Sequence, residues 1–179
     1  MPVIYTIGHS THTLEEFIAM LSAFEITLLA DVRSFPASRK NPQFNKEHLS
    51  AALNAQGIEY IHFKELGGRR KVQKNSRNTR WRNDSFRAYA DYMESENFLR
   101  AIALLEERAA QKKTAYMCSE AVWWRCHRSL ISDFLKAKGW NVLHIMGMEK
   151  VQEHPYTSLA RVVGEHVYYF DENLFEQAP

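Results

Sequence analysis

Both cysteines of the chain, Cys118 and Cys126, fall in one stretch, AYMCSEAVWWRCHRSLI (115–131), with Glu120, Arg125, His127 and Arg128 beside them. These residue types allow four readings. A zinc site would use Cys118, Cys126 and a histidine such as His9 or His127, with Glu120 as ligand or base. The eight-residue step between the cysteines is longer than the spacing of common zinc knuckles, and no metal ligand is assigned. A thiolate nucleophile would use Cys126 or Cys118 near a histidine or arginine and a helix start. Acid–base chemistry with no covalent role would fall to His9, Glu120 and His127 around a substrate held by arginines. The plain structural reading makes Cys118 a small buried hydrophobe on a strand and packs Cys126 under a helix; for Cys118 it is the preferred one.

The elements that must position these residues follow from periodicity. PVIYTIG, ITLLADVR, IEYIHF, TAYMCS and NVLHIM are short apolar runs that predict five buried strands. Helices are predicted between them. One is opened by a Thr13–Glu16 capping box, with Leu14, Phe17, Ile18 and Leu21 on one face. KEHLSAALNAQG is closed by Gly57. Two more cover 85–111 with a break near Ser95–Asn97, and another covers 128–138. ARVVGEHVYYF predicts a hairpin turning at Gly164–Glu165. Strands alternating with helices predict a single α/β domain over 1–179, with a mostly parallel sheet and helices on both faces.

In such a sheet the ligand crevice lies beyond the carboxyl ends of the strands. The loops there carry His9 and Ser10; Asp31, Arg33, Ser38, Arg39 and Asn41; Glu65, Gly67, Gly68, Arg69 and Arg70; and Cys118, Glu120, Cys126, His127 and Arg128. The opposite loops are plain. The sequence therefore predicts a catalytic set of His9, Glu120, Cys126 and His127, and a substrate-binding set of Ser10, Arg33, Arg39, Gly67, Gly68, Arg69, Arg70 and Arg128. Asp31 has the simpler reading of an internal partner for Arg33, and Gly67–Gly68 that of a turn. His12, His48, His62, His144, His154 and His166 have no sequence neighbours that suggest chemistry. His62 and His144 read as satisfied, partly buried strand residues.

The net charge is only +2, but residues 69–82 carry seven basic residues and no acidic one. That stretch reads either as a solvated loop or as an attractor for phosphate groups, with Trp81 able to stack on a base. No apolar run approaches a membrane span. The absence of a secretory pattern and the low cysteine count predict reduced thiols in a cytoplasm.

YTIGHS, DVRSFPASRKNPQFN, ELGGRR, YADYM, and MCSE with CHR resemble, in order and spacing, the family called domain of unknown function 488. The resemblance runs from Thr6 to HPYT at His154–Thr157. It implies a small α/β protein in which His9, Arg33, Arg39, Gly67, Gly68, Glu120, Cys126, His127 and Arg128 occupy motif positions. It supplies no reaction, and the cofactor is left open. A weaker likeness joins LLADVRS and the strand–Cys–loop–Arg–helix unit to the rhodanese and cysteine-phosphatase arrangement. Six residues separate Cys118 from Arg125 here, and Glu120 would repel an oxyanion. The leading expectation is thus an enzyme acting on a phosphate-bearing substrate, a nucleotide or nucleic acid. The alternatives are a non-catalytic nucleic-acid module, cysteine-dependent sulfur or phosphoryl transfer, and a metal protein. The helix start predicts a more acidic thiol at Cys126 than at Cys118.

Overall fold

In a computed structural model describing residues 1–171, six strands form one sheet. They are β1 (Val3–Gly8), β2 (Leu28–Asp31), β3 (Glu59–His62), β4 (Thr114–Cys118), β5 (Asn141–Ile145) and β6 (Val151–Glu153), in the order β3-β2-β4-β1-β5-β6. The first five run parallel, and β6 is an antiparallel edge strand. β6 was not expected; its three residues are exposed, so no buried apolar pattern marks it. Strands β7 (Arg161–Val163) and β8 (His166–Tyr168) form the separate hairpin that turns at Gly164.

Five helices cover the sheet: α1 (Leu14–Ala23), α2 (Lys46–Ala55), α3 (Asp84–Tyr92), α4 (Glu96–Gln111) and α5 (Arg128–Ala137). The α1 capping box forms, with the Thr13 side chain accepting from the Glu16 amide and Glu16 reaching back. On one face Phe17, Leu21, Leu49 and Leu53 pack on Tyr5, Ile7, Leu29, Ala115 and Met117. On the other Tyr89, Phe98, Ile102, Leu105, Ile131 and Leu135 pack on Ile4, Ala30, Tyr116 and Cys118. Strand alternation explains the division. Ala115 and Met117 of β4 face α1 and α2, so Tyr116 and Cys118 must face α5. The same rule points Thr6 of β1 toward α5. This places one cysteine under the helix that begins two residues after the other.

β4 lies between β1 and β2, so the chain leaves β1 in one direction and later returns to fill the gap. The carboxyl ends of β1, β2 and β4 meet at that point, where an open parallel sheet leaves a crevice. The described residues contain no helix long and apolar enough to cross a membrane.

Candidate functional site

A cavity of about 590 Å³ opens at these strand ends, its walls including His9, Arg33, Cys118, Glu120, Cys126 and His127. Its deepest chemistry is at the sulfurs. Cys118 Sγ and Cys126 Sγ are 2.8 Å apart, and both thiols are free. Arg128 lies behind them, 1% exposed. Its Nε donates to Cys118 Sγ at 3.0 Å and to Cys126 Sγ at 3.3 Å, and its backbone N–H reaches Cys126 Sγ at 3.4 Å. Its Nη1 donates to Thr6 Oγ1 and its Nη2 to the Glu120 carbonyl.

This arrangement separates the two thiols. Burial opposes a thiolate at Cys126, but a hydrogen bond from Cys118 and the Arg128 cation outweigh it and bring the Cys126 pKa down to about 6. Burial and the neighbouring Cys126 push Cys118 well up. The pair therefore holds one proton between two sulfurs at neutral pH, with the negative charge on Cys126 balanced by Arg128.

The close approach depends on Gly8. A Cβ there would stand 1.7 Å from the Glu120 carbonyl oxygen that caps Arg128, so any side chain would push the 119–126 loop away. His9 and Ser10 tie the same loop down through backbone bonds to Cys118 and Ser119.

The two histidines of the wall are neutral. Burial lowers both to a pKa of about 4. His9 stacks on Phe44, its Nδ1–H donates to the Ser10 carbonyl, and its Nε2 faces Arg33 Nη1 at 3.4 Å. His127 donates from Nε2 to the Val32 carbonyl at 2.7 Å and lies against Tyr89 and Gly68. It braces the start of α5 against the β2 loop, and only its Nδ1 keeps a lone pair.

Several residues expected to meet substrate hold protein groups instead. Arg128 is fully engaged as described. Arg33 forms a two-pronged pair with Asp31 and also donates to the Phe44 carbonyl; Tyr60 donates to the same carboxylate at 2.5 Å. Arg70 donates to the carbonyls of Lys64, Glu65 and Gly67 and stacks on Tyr92. A buried or loop-closing arginine is stable only when paired, and these three are. Gly67 packs beneath Ser34, and a Cβ on Gly68 would strike the His127 ring, so both serve close packing. Ser10 and Arg39 do not line the cavity. The fold of the 36–45 loop, fixed by Ser38 and Asn45, turns Arg39 outward and brings Lys40 to the wall. Arg69 does line it, its guanidinium over Phe35. Arg125 and Lys40, both exposed, have no side-chain partner among the described residues. Glu120 lines the wall with an exposed side chain.

The basic stretch is a pinned loop. Asp91 accepts from Ser76, Asn78 and the Gln73 amide, and Arg77 pairs with Glu94. Arg80 donates to the Leu159 carbonyl, and Trp81 stacks on Phe86. Of its basic side chains, Arg70, Arg77 and Arg80 are thus internal clamps.

His144 and His154, which looked inert in the sequence, form a buried chain with the site. Arg128 can only donate, so Thr6 Oγ1 accepts from it and passes its own proton to His144 Nδ1 at 2.6 Å. His144 Nε2–H then donates to His154 Nδ1 at 2.8 Å, and His154 Nε2–H to Asp133 Oδ1 at 2.8 Å. Asp133 also accepts from the Thr157 amide and hydroxyl and from Tyr169. Trp123 stacks on His144 at 4.7 Å. A buried guanidinium and a buried carboxylate are thereby joined through two imidazoles in one hydrogen-bonded chain. Separations of ten and more residues hid this chain from sequence reading.

Among the described residues, no group of three or more His, Cys, Asp or Glu side chains is placed to hold a metal ion. The family model described as "Domain of unknown function DUF488" matches residues 13–135. The chain belongs to the DUF488 family. The match includes both cysteines, Arg128 and Asp133 and leaves Thr6, His9, His144 and His154 outside. No curated protein and no solved structure matches it.

Proposed function

We propose that this DUF488 protein is a cysteine-dependent enzyme that takes a small anionic substrate into the strand-end cavity. Cys126 is the nucleophile, Arg128 stabilises its thiolate, and Arg125, Lys40 and Arg69 attract the anion at the wall. His9 and Glu120 are the groups left to move a proton. The observation that carries the reading is the Cys126 sulfur in the cavity wall with the buried Arg128 guanidinium against it. A neutral thiol needs no buried cation, and a buried arginine without an anion is costly. This reading puts cysteine chemistry ahead of the acid–base scheme, since His9 and His127 each donate one ring proton to a backbone carbonyl. It also moves the anion site from Arg33, Arg70 and Arg128 to the unpaired cations. A nucleic-acid grip by residues 69–82 has less support because Arg70, Arg77 and Arg80 clamp the loop.

Iodoacetate and iodoacetamide test the reading together, since they share a reaction and differ in charge. The ratio of their rates at Cys126 is expected to fall roughly 3- to 10-fold when Arg125 and Lys40 are both changed to alanine. Salt should lower the wild-type ratio in the same direction. A ratio indifferent to both changes removes the anionic substrate from the account.

A further inference from the structure

We propose that Cys118 is the resolving partner of Cys126, and that the substrate is a small anionic disulfide reduced by thiol–disulfide exchange. The proposal rests on the cysteine-dependent reading above and gives it a substrate class. The two sulfurs line one cavity, 2.8 Å apart, and one guanidinium nitrogen donates to both. A single-displacement nucleophile needs one thiol in that position. A second thiol there, on the last residue of a central strand and 2.8 Å from Cys126 Sγ, is within reach of a group carried by Cys126. An approach of less than about 1 Å further makes a covalent bond, so closure needs only a small adjustment of the 119–126 loop.

The exchange balances as follows. The Cys126 thiolate attacks one sulfur of RS–SR, forming Cys126–S–SR and releasing RS⁻. Cys126 then carries no charge, and Arg128 faces Cys118 as its remaining sulfur partner. That favours ionisation of Cys118, whose proton passes to the outgoing RS⁻ to give RSH. The Cys118 thiolate attacks Cys126 Sγ, the mixed disulfide breaks, and the second RS⁻ leaves. The substrate disulfide gains two electrons and becomes two thiols; the protein loses two and becomes the Cys118–Cys126 disulfide. A dithiol reductant restores the pair by the reverse exchange, giving up two electrons and becoming a disulfide itself. The arginine thus serves each sulfur in turn, which accounts for its donating to both.

Oxidised glutathione, an anionic disulfide, is the probe, added to fully reduced protein and followed by intact mass and peptide mapping. Wild type is expected to lose two hydrogens, release two glutathiones, and show no lasting adduct. Cys118→Ser is expected to accumulate one glutathionyl group on Cys126, and Cys126→Ser to react roughly 100-fold more slowly. The iodoacetamide rate of Cys126 in wild type and in Cys118→Ser checks the thiolate separately. If wild type keeps a stable glutathionyl adduct, or fails to react while Cys126 alkylates fast, Cys118 does not resolve and the thiolate reading survives. If Cys126 also alkylates slowly in wild type, both proposals fall. The wild-type measurement stands alone should either variant not fold.

Discussion

Replacing Arg128 with methionine is expected to slow alkylation of Cys126 at about pH 7 by roughly 30- to 100-fold. The wild-type thiol, with a pKa of about 6, is mostly ionised there. Methionine keeps the length of the stem and removes the cation. What remains is a dithiol in a buried setting, where burial alone pushes a thiol above its free value of about 8.5. Moving the thiol pKa from about 6 to about 8.5–9 reduces the thiolate fraction at about pH 7 by the stated factor. The protein should also lose stability, by roughly 2–5 kcal/mol, because Thr6 Oγ1 and the Glu120 carbonyl lose their buried donor. Arg128→Lys keeps a charge but has no planar fork to reach both sulfurs, Thr6 and Glu120 together, and should give an intermediate slowing. Circular dichroism and thermal melts establish that the variants are folded. An unchanged rate in folded Arg128→Met would mean that the thiolate does not depend on this arginine.

Asp133→Asn is expected to cost about 3–5 kcal/mol, a fall in Tm of roughly 10 °C. The carboxylate accepts from His154, from Tyr169 and twice from Thr157. An amide offers one oxygen to these donors, and its NH₂ must face one of them or His154. If it faces His154, the imidazole tautomers invert along the chain. His154 then donates to His144, and His144 Nδ1–H donates to the second lone pair of Thr6 Oγ1, whose own hydroxyl proton loses its acceptor. Nitrogen NMR of the two histidines reads this inversion directly, which a loss of packing alone would not produce. The Cys126 pKa should rise with it, since Arg128 then shares its Thr6 acceptor with His144 and is held less firmly against the sulfurs. A fall in Tm with both tautomers and the thiol pKa unchanged would mean that the chain only stabilises the fold.

The parts legible in the sequence are those fixed by local rules. Apolar runs gave the five parallel strands, Thr13 and Glu16 marked the start of α1, and Gly164 marked the hairpin turn. The strand-end rule brought His9, Glu120, Cys126, His127 and Arg69 to one cavity wall. What escaped depends on tertiary partners. Lys40 and not its neighbour Arg39 reaches the wall because of how one loop folds. Arg33 and Arg70 look like anion ligands until Asp31 and the loop carbonyls are placed against them. Arg128 did carry a usable signal: with Ile131 and Leu135 it falls at the i, i+3, i+7 spacing of an inward stripe, which marks a buried arginine and therefore a buried partner. Strand parity carried another, since Tyr116 and Cys118 share a face. The path from Thr6 to Asp133 through His144 and His154 had none.

The central claim is that Cys126 is an arginine-stabilised thiolate, and its alkylation rate against pH tests it most directly. Reduced native protein would be treated with iodoacetamide at a series of pH values and the adducts mapped by mass spectrometry. Because the thiolate reacts and the thiol does not, the rate should rise as pH increases through about 6 and level off above it, with Cys126 labelled well before Cys118. Labelling of Cys118 first, a midpoint at or above the ordinary thiol value, or no labelling of either cysteine until the protein unfolds would each contradict the account.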